Sequence, residues 1–160
     1  MSRVLRWSSK LQASLLAITV VLLDQLSKAW AEQTLPAGVM RPWIPGLLAH
    51  QLVYNRGAAF SMLTGAQPLL ALVSAVVVIG LSLWLWRQSQ LRLLQTLAVG
   101  LLLGGAAGNG IDRWSHGAVV DFLALVPVDF PVFNLADVAI NLAVLCLALD
   151  VWNSARRHEG

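Results

Sequence analysis

GNGIDRWSHGAVVDF (108–122) and PVFNLADVAIN (131–141), together with the short run 123–130 between them, carry four of the chain's eight acidic residues. These are Asp112, Asp121, Asp129 and Asp137, with Asn109 and Asn134 beside them. The surrounding chain is greasy: 58% of its 160 residues are hydrophobic and only 12% charged, against about 25% charged in a soluble domain. Carboxylates are costly near a bilayer, so a cluster of them marks a candidate functional site.

Working outward, four apolar stretches at 11–30, 68–86, 93–111 and 135–152 each approach the roughly 20 residues that cross about 30 Å of hydrocarbon. The expected fold is therefore membrane α-helical, one integral-membrane domain over 1–160 with four transmembrane helices. Arg3, Arg6 and Lys10 precede the first stretch, but no small-x-small cleavage site follows it and Asp24 interrupts its end. An uncleaved first span is expected. Spans two and three are joined by the basic turn RQSQLR (87–92). The outer loops are expected at about 31–67 and 112–134. Arg3, Arg6, Lys10, Arg87, Arg92, Arg156 and Arg157 fall on one side of the membrane; Lys28, Arg41, Arg56 and Arg113 fall on the other. Seven against four of the chain's 11 basic residues places both termini in the cytoplasm.

In the first outer loop Pro36, Pro42, Pro45 and Gly46 break helix. The segment 47–63 and GAVVDFLAL (117–125) then read as short strands. Strand edges are not tolerated in lipid, so these strands are expected to pair, or to lie in the headgroups, on the outer (periplasmic) surface. The net charge of +3 sits mostly at helix ends, which reads as topology and argues against nucleic-acid binding. Seven tryptophans suit interfacial anchoring. The single Cys146 excludes an intrachain disulfide and a cysteine-built metal site.

Polar groups converge by depth. Asp24 lies toward the outer end of span one, Asn109 and Asp112 close span three, Asp121 is in the outer loop, and Asn134 and Asp137 open span four. Asp150 sits apart at the inner end near Arg156 and Arg157, where a structural role is expected. Two carboxylates sharing a site cannot both ionise cheaply, so one keeps a proton. One then acts as base on a water and the other as acid toward a carbonyl oxygen, the division of labour that peptide hydrolysis needs. Asp121 and Asp137 are the expected pair. His50, His116 and His158 lie in different regions, and no HExxH, nucleophile-elbow or phosphate-loop pattern is present. Simpler readings exist: Asn134 and Asp137 have N-cap and N3 spacing, Asp24 and Lys28 form an i,i+4 pair that snorkels, and Asp112 and Arg113 anchor the end of span three. Asn55 reads as a turn residue and Asp129 as a solvated loop acid. The rival function is a small proton- or ion-coupled transporter using buried Asp24, Asp112 and Asp137; charge gathered on one side, without an internal repeat, disfavours it.

DQLSK (24–28), NRGAAFS (55–61), GNGIDR (108–113), VVDF (119–122) and FNLADVAIN (133–141) occur in this order along nearly the whole chain. With these motifs the chain closely resembles the lipoprotein signal peptidases, the bacterial signal peptidase II family. The resemblance implies an aspartyl endopeptidase of the bacterial inner membrane with its active site at the outer face. It would remove signal peptides from prolipoproteins by cutting just before a cysteine that carries diacylglycerol. It implies Asp121 and Asp137 as catalytic, with Asp24, Lys28, Asn55, Gly57, Asn109, Asp112, Arg113 and Asn134 supporting them or binding substrate. Ala58 and Phe60 also match the outer-loop motif. No metal or organic cofactor is implied, the partners are the lipidated substrate and membrane lipids, and a monomer is expected. Gly110 and Asn141 depart from the common motif forms, and the 104–110 glycine run implies flexibility or close packing.

Overall fold

The computed structural model describes residues 8–57 and 65–158. It contains four long helices, α1 (Ser9–Thr34), α2 (Gln67–Arg87), α3 (Leu93–His116) and α4 (Leu135–His158), and three strands, β1 (Arg41–Ile44), β2 (Leu48–Asn55) and β3 (Val119–Leu125). All four helices are long and apolar enough to cross a membrane, as expected. They run beyond the apolar stretches. The greasy pattern of α3 stops near residue 111, but its backbone ladder continues through polar residues to His116. Lipid preference limits the apolar stretch, whereas hydrogen bonding limits the helix.

The helix stops at Gly117, whose φ of 67° gives the left-handed cap that reverses the chain into β3. That reversal returns Asp121 to the side of α3 that it has just left.

Helix α3 is the centre of the bundle. It packs against α1, α2 and α4, and its buried face is mostly small: Ala98, Gly100, Gly104, Gly105, Ala106 and Gly108. A Cβ at Gly104 would lie 2.6 Å from the Val20 Cβ, and one at Gly105 would lie 2.6 Å from the Ala136 carbonyl oxygen. The glycine run is therefore a close-packing surface between helices, as small residues are in membrane bundles.

At one end of the bundle the strands form an antiparallel sheet in the order β1-β2-β3, so the surface-strand expectation holds. Pro42 is accommodated on the edge strand β1. Ala31, Leu52, Val120, Phe122 and Leu123 seat the sheet on the end of α1. At the opposite end Lys10 Nζ donates to the Trp86 carbonyl at 2.6 Å. There Arg92 pairs with Asp150 at 2.7 Å. Asp150 is thus structural, but its cation is Arg92, brought across by α3; Arg156 instead lies over the Trp152 ring at 4.9 Å. Arg3, Arg6, Ala58 and Phe60 lie outside the described residues.

Candidate active site

Strand alternation and helix capping place the two expected aspartates. Along β3, Val120 and Phe122 enter the apolar core while Asp121 faces a cleft. At the start of α4, Asn134 Oδ1 accepts the Asp137 backbone N–H at 2.9 Å, and Asp137 Oδ2 accepts the Asn134 N–H at 3.2 Å. This reciprocal pair is the capping box that the spacing suggested. Capping and site geometry here use the same two residues.

Three amides surround the carboxylates, and an obligate donor fixes the orientation of each. The Gly57 N–H holds Asn55 Oδ1 at 2.9 Å, leaving Asn55 Nδ2 to donate to Asp121 Oδ2 at 3.0 Å. The Asp137 N–H holds Asn134 Oδ1, so Asn134 Nδ2 donates to Asp121 Oδ1 at 2.6 Å. Lys28 Nζ holds Asn109 Oδ1 at 3.0 Å, so Asn109 Nδ2 donates to Asp137 Oδ1 at 2.8 Å. Backbone N–H and ammonium groups cannot accept, which decides each amide's direction. Every carboxylate oxygen of Asp121 and Asp137 therefore receives one N–H. Asn55 is more than a turn residue, since its amide spans from the Gly57 turn to β3.

Behind this layer lies a buried ion triad. Lys28 Nζ is 2.7 Å from Asp24 Oδ2 and 2.8 Å from Asp112 Oδ2. Asp24 and Asn134 are 0% exposed, Lys28, Asp112 and Asp121 2%. Lys28 does not snorkel and Asp112 is not an interfacial anchor; both point into the protein because the three charges satisfy one another there. Gln25 also belongs to the cluster, donating to Asp112 Oδ1 at 2.9 Å and to the Gly108 carbonyl at 3.2 Å. Sequence reasoning passed over Gln25. Its signal was an amide next to Asp24 in an otherwise apolar span.

Arg113 is half-buried beside the cleft. Its Nη1 makes only long contacts, to Ser74 Oγ at 3.4 Å and the Asn109 carbonyl at 3.3 Å, and its buried Nε has no hydrogen-bond partner among the described residues. Asp129 is exposed in the loop after β3, as expected of a solvated acid. Asp24, Asp112, Asp121 and Asp137 thus gather at the sheet-bearing end, and among the described residues no series of acids leads from them across the bundle to Asp150. Among the described residues no group of three or more histidine, cysteine or acidic side chains is placed to hold a metal ion.

The cleft holds about 760 Å³. Asn55, Asn109, Arg113, Asp121 and Asp137 line its polar end, and Val73, Val77, Leu102, Leu142 and Leu145 its apolar end. Burial, reinforced by the nearby Asp137 charge, pushes the Asp121 carboxyl up to about 7, against the pull of the Asn55 and Asn134 hydrogen bonds and the Lys28 charge. The surroundings of Asp121 therefore favour its protonated form through most of the acidic range.

A substitution separates capping from chemistry at Asn134. Asn134→Ser keeps a capping oxygen but has no amide to reach Asp121 and Asn109. Asn134→Ser is expected to cost about 1–3 kcal/mol in thermal unfolding, from the buried acceptors its amide leaves unpaired and not from the cap, while peptidase activity falls about 10- to 100-fold through lost positioning. Equal retention of both would show the amide to be dispensable.

The family model described as signal peptidase (SPase) II matches residues 16–153. The lipoprotein signal peptidase of Synechococcus sp. (strain RCC307) is 55% identical over 135 residues, covering 84% of this chain and 89% of the relative. That of Streptococcus pneumoniae (strain ATCC BAA-255 / R6) is 38% identical over 139 residues, covering 85% and 91%. A bacterial membrane enzyme solved by the in meso method superposes with a TM-score of 0.83 at 31% identity, covering 89% of this chain and 88% of that one. The family match reaches from within α1 into the last turns of α4 and takes in every residue of the buried layer, so the resemblance carried by the five motifs extends through the whole bundle, and the chain belongs to the signal peptidase II family.

Proposed function

We propose that this multi-pass membrane peptidase removes the signal peptide from diacylglyceryl-modified prolipoproteins, cutting just before the lipidated cysteine, with Asp121 and Asp137 as the reacting pair. The observation that carries this reading is the arrangement of three amides, each with its oxygen held by an obligate donor and its NH2 directed at Asp121 or Asp137, at the head of a cleft with an apolar end.

Asp137 lies at the third position of α4, where a helix N-terminus favours negative charge, and it is the more exposed of the two. It acts as base. Asp121, buried and held protonated, acts as acid. Water attacks the scissile carbonyl carbon, giving its proton to Asp137, while Asp121 protonates the carbonyl oxygen. The resulting neutral gem-diol collapses: the C–N bond breaks, Asp137 returns its proton to the leaving amine, and a diol hydroxyl returns one to Asp121. Both aspartates end as they began. Arg113 lines the same cleft, and its guanidinium suits a backbone or ester carbonyl of the substrate.

The apolar end of the cleft suits a substrate that never leaves lipid. Helix α2 packs on α3, and α4 packs on α3 and α1, so the groove over α3 lies between α2 and α4. The signal peptide would enter there from the bilayer while the scissile bond meets the aspartates at headgroup level. In this reading both termini are cytoplasmic and the sheet-bearing end lies at the outer face of the bacterial inner membrane, following the distribution of lysine and arginine.

The test is a gel-shift assay with purified protein, given one prolipoprotein with and without its diacylglyceryl group. Cleavage of the modified form alone is expected. Equal cleavage of both forms would refute the lipid requirement, and a well-folded protein inactive on several modified substrates would refute the substrate class.

A further inference from the structure

The geometry points to Lys28 as the positioning residue that holds both aspartates in place, acting through Asn109, Asp24 and Asp112 and not by touching substrate. This rests on the reading of Asp121 and Asp137 as the reacting pair.

An ammonium has three N–H donors, and Lys28 spends all three: on Asp24 Oδ2, Asp112 Oδ2 and Asn109 Oδ1. It is also buried, with none of the cleft formed by it. Each acceptor then leads toward an aspartate. Asp24 Oδ1 accepts the backbone N–H of Ala136 at 2.9 Å, one residue before Asp137. Asp112 Oδ2 accepts the backbone N–H of Val120 at 3.2 Å, one residue before Asp121. Asn109, its oxygen turned toward Lys28, is left with its Nδ2 on Asp137. One ammonium on α1 thus ties together α3, β3 and α4 at the two points where the reacting side chains leave the backbone. Lys28 also helps to fix the direction of the Asn109 amide. Without it only Asn134 Nδ2, itself shared with Val120 and Asp121, would hold the Asn109 oxygen.

The experiment is a double-variant cycle read in steady-state cleavage of a diacylglyceryl-modified prolipoprotein. It compares wild type, Lys28→Met, Asn109→Ala and the two combined. Lys28→Met is expected to lower kcat about 100-fold, the scale of a small misplacement of reacting groups. KM should stay within about threefold, as for a group that makes no substrate contact. In the Asn109→Ala background the same change should cost at least about fivefold less, the mark of two residues acting through one contact. Independent losses in the two backgrounds, or a raised KM with unchanged kcat, would overturn the assignment.

Lys28→Met also leaves two buried carboxylates without their cation, so it is a folding risk. If it does not fold, Lys28→Met/Asp24→Asn, which removes one charge of each sign, replaces it in the same cycle. Full wild-type kcat in that variant would reduce Lys28 to a neutralising charge and overturn the assignment. Asp121→Asn and Asp137→Asn run alongside: cleavage by either would sink the aspartate-pair reading itself, whatever the Lys28 variants do.

Discussion

Asp137→Asn and Asp121→Asn are each expected to lower cleavage of a diacylglyceryl-modified prolipoprotein by about 10³-fold or more, the scale of losing a positioned acid or base. Asparagine keeps the size of aspartate and one acceptor oxygen. It cannot take a proton from water, and it cannot give one up to a carbonyl oxygen and regain it. At position 137 the loss is of the base. The one oxygen of the asparagine can still accept the Asn134 N–H, so the start of α4 survives, while its NH2 then faces Asn109 Nδ2. At position 121 the new amide faces Asn55 Nδ2, whose direction the Gly57 N–H fixes. Two donors meet in either variant, but Asp121 is the more buried of the two aspartates, so Asp121→Asn should be the less stable variant. Gel-shift cleavage, with thermal unfolding as the folding control, reads both effects. A folded single variant that still cleaves at about a tenth of the wild-type rate would be incompatible with the acid–base assignment.

The second large effect is on pH. Asp121 must carry its proton to act as acid, and its carboxyl sits at about 7. Above that value kcat/KM is expected to fall about tenfold per pH unit, while below it the rate stays level until the base is protonated. A rate constant from pH 6 to 9 would remove Asp121 from the acid role. The same carboxyl gives a stability signature of defined sign. Its pKa is raised in the folded protein from an ordinary 3.8, so the folded state binds this proton more tightly than the unfolded state does. Folding stability from this group is therefore fully present below about pH 4, falls as pH rises toward 7, and is level above that. Most structural carboxylates, held ionised by partners, behave in the opposite way. On the proposed mechanism, burial among Val119, Val120 and Phe122 is what keeps the Asp121 proton available for chemistry.

Much of this was legible in the chain. Four apolar stretches of bilayer length leave helices as the only way to satisfy the backbone in lipid, so the spans could be read from composition alone. The strands were legible because Pro42, Gly46 and the run 119–125 deny a helix and alternate or continue in β-branched residues. The convergence of Asp24, Asn109, Asp112, Asp121, Asn134 and Asp137 followed from depth, since the order of the spans puts each of them toward the same end of the bundle. What depth could not say is which groups face one another. An i,i+4 pair reads the same whether it snorkels or is buried, so Lys28 was open between anchoring and joining the site. Packing decided it: the small face of α3 lets α1 approach closely enough for one ammonium to meet Asp24, Asp112 and Asn109. Asp150 was placed beside Arg156 and Arg157 by sequence proximity, but α3 brought Arg92 instead. Gln25 carries no charge and so gave little warning. Side-chain identity and hydrophobic length determined the membrane fold and the layer of the site. The partners within that layer depended on helix rotation and on the turn at Gly117, which arise from contacts between segments distant in the chain.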